Sequence, residues 1–152
     1  MKIKDRVRAH TARHINEEIE QKTERRVVQA AGATDAAISR RINELEEEWD
    51  MERWLETNAS AIAFSGVVLG LLVNKKFLAI PVIVLPFLFQ HAVQGWCPPI
   101  PLFRRIGVRT RKEIDAEKYA LKAVRGDFDK LPIANNGDTI RRARQAWEAA
   151  KA

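Results

Sequence analysis

Residues 59–93 read ASAIAFSGVVLGLLV, then NKK, then FLAIPVIVLPFLFQHAV. Ala59–Val73 is 15 residues without a charge, and Phe77–Phe89 is another 13. A bilayer core about 30 Å thick takes about 20 helical residues. Each run approaches that length only with its uncharged neighbours, Thr57 and Asn58 before the first and Gln90 to Gly95 after the second. One unbroken helix over the stretch would be about 52 Å long. It would leave Lys75 and Lys76 near its centre, at about 3 kcal/mol each. A bend at Asn74 removes that cost and lets both lysines snorkel into the headgroups. Two short helices folded into a membrane hairpin are therefore predicted. The competing reading of runs this short is a buried helix pair in a soluble all-helical domain.

Residue choice within the hairpin favours lipid. Gly66 and Gly70 stand four apart, with Ser65 alongside. Such a small face lets another helix approach closely, either the hairpin partner or a second copy of the chain. Pro81 and Pro86 would damage a soluble helix but are better tolerated in a membrane, where neighbours can satisfy the freed carbonyls.

Charge is distributed unevenly around this centre. Residues 1–57 hold 11 Lys/Arg against 13 Asp/Glu, and residues 94–152 hold 13 against 7. A basic segment beside an apolar hairpin is expected to lie on anionic headgroups. No nucleic-acid-binding motif accompanies the charge, so nucleic acid is not expected as a partner. Cys97 is the single cysteine, which excludes an internal disulfide. Met1–Ala31 contains no apolar core of a signal peptide, so the hairpin is expected to serve as its own insertion signal.

Taken in order, residues 2–31 are predicted as one amphipathic helix with a narrow stripe of Ile3, Val7, Ile15, Ile19 and Val27. Its His10 and His14 have the i, i+4 spacing of metal ligands, but two solvated histidines are expected instead. Gly32 can stop this helix, and Thr34 or Asp35 can cap the next. Residues 36–57 are predicted as the second helix, with a seam of Ile38, Ile42, Leu45 and Trp49. Trp49, Trp54 and Trp96 flank the apolar stretch and are expected at the water–lipid boundary. Pro98, Pro99 and Pro101 predict an extended turn. Arg104, Arg105, Arg109, Arg111 and Lys112 then form a juxtamembrane basic cluster. Thr110 and Glu113 have the spacing of a capping box. The helix they open should run to about Arg125 on Ile114, Leu121 and Val124, and stop at Gly126. A turn at Asn136-Gly137, a cap at Asp138 and a last helix to Ala150 with Ile140, Ala143 and Trp147 on one face complete the prediction.

Chemistry-bearing groups gather at one hairpin end: Gln90, His91, Gln94, Trp96 and Cys97. Cys97 would need a depressed pKa to act as a nucleophile or sulfur carrier, which Arg104, Arg105 or a charged His91 would have to supply. Thiolate haem ligation by Cys97 with His91 as second ligand is another candidate. The expected role is plainer: His91 and the glutamines hydrogen-bond at the interface, and Cys97 packs as a small apolar group. No catalytic constellation, cofactor or metal is expected.

Two stretches resemble the YgaP-type inner-membrane domain, a small bacterial family of largely unknown function. They are Asp50-Met51-Glu52-Arg53 before a Gly-containing apolar helix, and Cys97-Pro98 followed by Leu102 to Thr110. Pro99-Ile100-Pro101 looks like an insertion into the family pattern. The resemblance covers about residues 50–112. It implies a helical hairpin in the cytoplasmic membrane, as a homodimer. Some relatives carry a fused rhodanese, which this chain lacks, so the implied link to sulfur transfer is thin.

The sequence is thus read as all-α. Residues 1–57 are charged cytoplasmic helices, 58–96 a transmembrane hairpin, 97–112 a Pro-rich turn with a basic juxtamembrane segment, and 113–152 basic helices. The expected function is a non-enzymatic anchor or assembly subunit in a bacterial inner membrane. Its partners would be lipid, a second copy or another membrane protein, with both termini in the cytoplasm. The alternative is a thiol-dependent sulfur-transfer or redox protein using Cys97.

Overall fold

Local capping sets where the helices begin and end. A computed structural model describes residues 5–129 and 142–147, and every regular element among these is helical. The order is α1 (Arg6–Ala9), α2 (Arg13–Ala30), α3 (Asp35–Glu47), α4 (Met51–Leu72), a 3-10 turn (Lys75–Leu78), α5 (Ala79–Gln94), α6 (Ile100–Arg105) and α7 (Arg111–Val124). Residues 142–147 are helical too; the turn at Asn136-Gly137, the cap at Asp138 and Ile140 lie outside the described residues.

Four sequence expectations need correction. The first predicted helix is two. Thr11 Oγ1 turns back to the Val7 carbonyl at 2.8 Å. Asn16 Nδ2 donates to the Arg8 carbonyl at 3.0 Å, and these local side-chain bonds compete with the helix ladder at residues 10–12. The second predicted helix stops at Glu47, because Asp50 caps a new one by accepting from the Arg53 N–H at 2.9 Å. Trp49 therefore leaves the seam of Ile38, Ile42 and Leu45 and is exposed, while those three are buried. The third is the extended turn predicted at Pro98–Pro101, where a helix already begins at Ile100. Pro99 and Pro101 sit at the start of α6, where a missing N–H costs nothing. The fourth concerns Val124, which is exposed, whereas Ile114 and Leu121 are buried as expected.

Contacts divide the chain into two units, Met1–Gln21 with Glu48–Ile114, and Lys22–Glu47 with Asp115–Ala152. In the second, Ile38, Ile42, Leu45 and Leu121 are buried. Glu117 is fully buried there and takes Arg41 Nη2 at 3.0 Å and Arg26 Nε at 3.4 Å. Arg125 donates to Ser39 Oγ at 2.7 Å and pairs with Asp127 at 2.6 Å, just where Gly126, at φ +84°, stops α7.

The first unit holds the apolar stretch. Val7, Met51, Leu55, Cys97 and Ile100 form its core, with Phe103 and Val108 packed against it. From there α4 continues unbroken into the uncharged run and is 22 residues long, about 33 Å. Asn74 caps the 3-10 turn by accepting from the Lys76 N–H at 2.9 Å, which makes the bend where the sequence placed it. The most apolar stretches of Asp35–Leu72 and Lys75–Gln94 are only 22% and 11% buried, and both segments are long and apolar enough to cross a membrane. Phe64 is 71% exposed and Phe89 72%. A core helix of a soluble domain would hide such side chains.

Candidate functional site

Where α4 and α5 meet, the small residues line the contact. Ala63, Gly66 and Gly70 are the buried residues of the apolar part of α4. A Cβ at Gly66 would lie 2.8 Å from both the Ile80 Cβ and the Pro81 ring, and one at Gly70 2.5 Å from Leu78 Cδ2. The glycines thus serve the close approach of α4 and α5 within one chain. Pro81 is buried in that contact, near the start of α5, and Pro86 lies inside the helix.

The other end of the pair is polar and tightly bonded. Gly95, at φ +76°, closes α5 in the left-handed region. Its missing side chain also makes room for α1, since a Cβ there would collide with the Arg6 Cβ. Arg6 Nη1 can then donate to the carbonyls of Ala92 at 2.9 Å and Val93 at 3.0 Å, satisfying the last turn of α5. This junction was not legible beforehand, because Arg6 and Ala92 are 86 positions apart.

Beside it lies a buried ion pair. Arg104 Nη1 and Nη2 reach the two Glu113 oxygens at 2.6 and 2.8 Å. Nη1 also donates to the Val108 carbonyl at 3.0 Å, and Nη2 to Asn16 Oδ1 at 2.8 Å. Glu113 meanwhile accepts from the Thr110 N–H at 2.9 Å, which is the predicted capping box. Thr110 Oγ1 donates to Asp5 at 2.7 Å. Arg109 pairs with Glu48 through Nε at 2.8 Å, and its carbonyl accepts from the Met51 N–H at 2.9 Å. The basic cluster is therefore corrected. Arg104, on α6, and Arg109, in the loop before α7, are buried structural cations held by Glu113 and Glu48, and of the cluster Arg105, Arg111 and Lys112 are exposed.

The aromatic groups fall as follows. Trp49 packs edge-on against Trp54 at 5.6 Å, with the Arg53 guanidinium 4.4 Å above its ring. Trp54 in turn meets Phe103 at 5.8 Å, and Trp96 is half-buried. Lys75 and Lys76 are exposed at the bend.

Among the described residues, two of the cavities flank these elements. The larger, about 780 Å³, has a polar wall of Asp5, Arg6, Glu52, Glu56, Ser60, Thr110, Arg111 and Lys112. Its other wall is apolar, from Leu85, Leu88 and Phe89 of α5, with His91 and Gly95 between. His91 is only 8% exposed, and its Nδ1 has no hydrogen-bond partner among the described residues. The smaller cavity, about 330 Å³, is apolar and is lined by Leu55, Ile62, Phe87, Cys97 and Phe103 among others. His91 and Cys97 thus line different cavities, which share Leu88. No cluster of three metal-binding side chains occurs among the described residues. His10 is occupied locally, its Nδ1 lying 2.8 Å from the Arg6 carbonyl. Cys97 is buried, and burial pushes its thiol pKa up, away from the thiolate that sulfur chemistry needs.

No family model, curated protein or solved structure matches the chain.

Proposed function

We propose that the chain is an integral membrane protein with no enzymatic activity, which inserts α4 and α5 into the bilayer and uses its charged helices to anchor or assemble a partner. One observation carries this: large apolar side chains cover the outer faces of both helices, with Leu71, Leu72, Val82, Ile83 and Phe89 all exposed. In water that surface would be far beyond what a soluble monomer shows; in lipid it needs no cover. The resemblance of residues 50–112 to YgaP-type domains agrees with this reading. Burial of Cys97 weighs against the thiol-dependent alternative.

The proposed location is a bacterial inner membrane with both termini in the cytoplasm. Orientation follows the Lys/Arg count close to the membrane ends. Arg40, Arg41, Arg53, Arg104, Arg105, Arg109, Arg111 and Lys112 stand against Lys75 and Lys76 at the bend. Expressed in bacteria, the protein should remain in the membrane pellet after a carbonate wash. Release into the soluble fraction overturns the reading. Reporter fusions at both termini should register cytoplasm, and a terminus in the periplasm would refute the charge argument. Asn74→Cys in a Cys97→Ser background should react with an impermeant thiol reagent from outside if the pair spans fully; protection would mean that it dips in and returns.

A further inference from the structure

We propose that the larger cavity binds a single phospholipid whose headgroup carries both a phosphate and a primary ammonium, a phosphatidylethanolamine. The proposal rests on the membrane reading and deepens it. The cavity lies where the charged start of α4 gives way to its uncharged run, so one wall grades from Glu52 through Glu56 to Ser60 at one-turn intervals. Leu85, Leu88 and Phe89 of α5 form the facing apolar wall. This gradient matches a molecule that is charged at one end and hydrocarbon at the other. The volume lies within the range of about 300–1,000 Å³ typical of small-molecule sites.

The charges choose the headgroup. Arg6 reaches the cavity from α1, and Arg111 and Lys112 from the first turn of α7. Guanidinium and ammonium groups recognise phosphate. An anionic lipid would meet these three cations but would be repelled by Asp5, Glu52 and Glu56 on the same polar wall. Asp50, Asp5 and Glu56 add negative charge around Glu52. Both oxygens of Asp5 are committed, to Thr110 and to the Arg8 N–H, so Glu56, and Glu52 beyond its one backbone hydrogen bond, are the carboxylates with acceptor capacity for a ligand cation. A primary ammonium brings three N–H donors; a quaternary ammonium brings none. His91 supplies an independent sign of a ligand. It is buried in the cavity wall with Nδ1 unpartnered among the described residues, and a buried ring nitrogen without a partner is costly. A phosphate or ester oxygen of the lipid can accept from it.

The test uses the full chain purified in mild detergent, with native mass spectrometry after addition of phosphatidylethanolamine, phosphatidylcholine or phosphatidylglycerol at equal concentration. Phosphatidylethanolamine should be retained about tenfold more strongly than phosphatidylcholine, the size expected for charge-assisted hydrogen bonds partly offset by desolvation. Glu52→Gln with Glu56→Gln should abolish that preference while thermal unfolding stays unchanged. Equal retention of phosphatidylethanolamine and phosphatidylcholine by the native chain, or stronger retention of phosphatidylglycerol, overturns the proposal. Water-soluble glycerophosphoethanolamine should fail to displace the lipid; displacement would assign the site to a soluble phosphate ester and also overturn it. Carbonate extraction reports on the membrane reading separately, so the two failures are distinguishable.

Discussion

Replacing Gly66 with Ala should loosen the α4–α5 pair, and replacing Gly70 with Ala should do so much less. At Gly66 the new methyl would meet the Ile80 Cβ and the Pro81 Cδ, each at 2.8 Å. Neither can rotate away, since one is attached to the backbone and the other is part of a ring. The helices must therefore separate by several tenths of an ångström. Overpacking of this kind costs about 1–3 kcal/mol, while Ala gains up to about 1 kcal/mol in helix propensity over Gly. With most of that gain realised, a net loss of up to about 2 kcal/mol follows. At Gly70 the clash is closer, 2.5 Å, but with Leu78 Cδ2, the far end of a side chain that is 36% exposed. Rotation of Leu78 relieves it, so the propensity gain should nearly cancel the remaining cost. The assay is unfolding in mixed micelles titrated with a denaturing detergent, read by tryptophan fluorescence. A Gly66→Ala chain as stable as the parent, or Gly70→Ala as the more damaging change, would refute the account of the contact. Gly66→Leu with Gly70→Leu should abolish the packing of the pair altogether.

Arg104→Met should destabilise the chain by up to about 3 kcal/mol, because it strips the bidentate partner from the buried Glu113 and leaves only Arg8 Nε, 3.6 Å away, as a compensating cation; chemical denaturation measures this, and a change under about 1 kcal/mol would show the pair to be dispensable. Cys97→Ser should leave insertion and assembly intact. In the parent chain, thiol labelling at neutral pH should run slower than for a free cysteine, since burial raises that pKa; faster labelling, or a persulfide formed from a sulfur donor, would restore the sulfur-transfer alternative. Asp127 has its pKa lowered, first by the hydrogen bonds from Arg125. Its stabilising contribution is thus fully present above the ordinary carboxyl pKa of 3.8 and is lost as pH falls through the lower folded value. Asp127→Asn should flatten the acid limb of the stability–pH curve below about pH 4, and an unchanged acid limb would contradict the pairing.

Local signals in the chain determined a good part of this fold. Two uncharged runs broken by Asn74-Lys75-Lys76 are enough to specify two apolar helices and the bend between them, because helix length and charge burial depend only on neighbours in sequence. The capping box of Thr110 with Glu113 and the stop at Gly126 were legible for the same reason. Local reasoning failed where side chains compete with the ladder, as at Thr11 and Asn16, and where a proline lands in a first turn, as at Pro101. Tertiary structure alone decided which charges serve the protein and which face outward. Arg104 and Arg105 are adjacent and alike in sequence, yet one is 1% exposed against Glu113 and the other lies on the surface. The same holds for the candidate cavity. Arg6, Glu52, His91 and Lys112 share no motif and are gathered only by the fold, Arg6 because Gly95 lets α1 close on the end of α5. A periodic pattern encodes one face of one element. Which distant element that face meets depends on the packing of the whole unit, and a single sequence carries that information only through the fold.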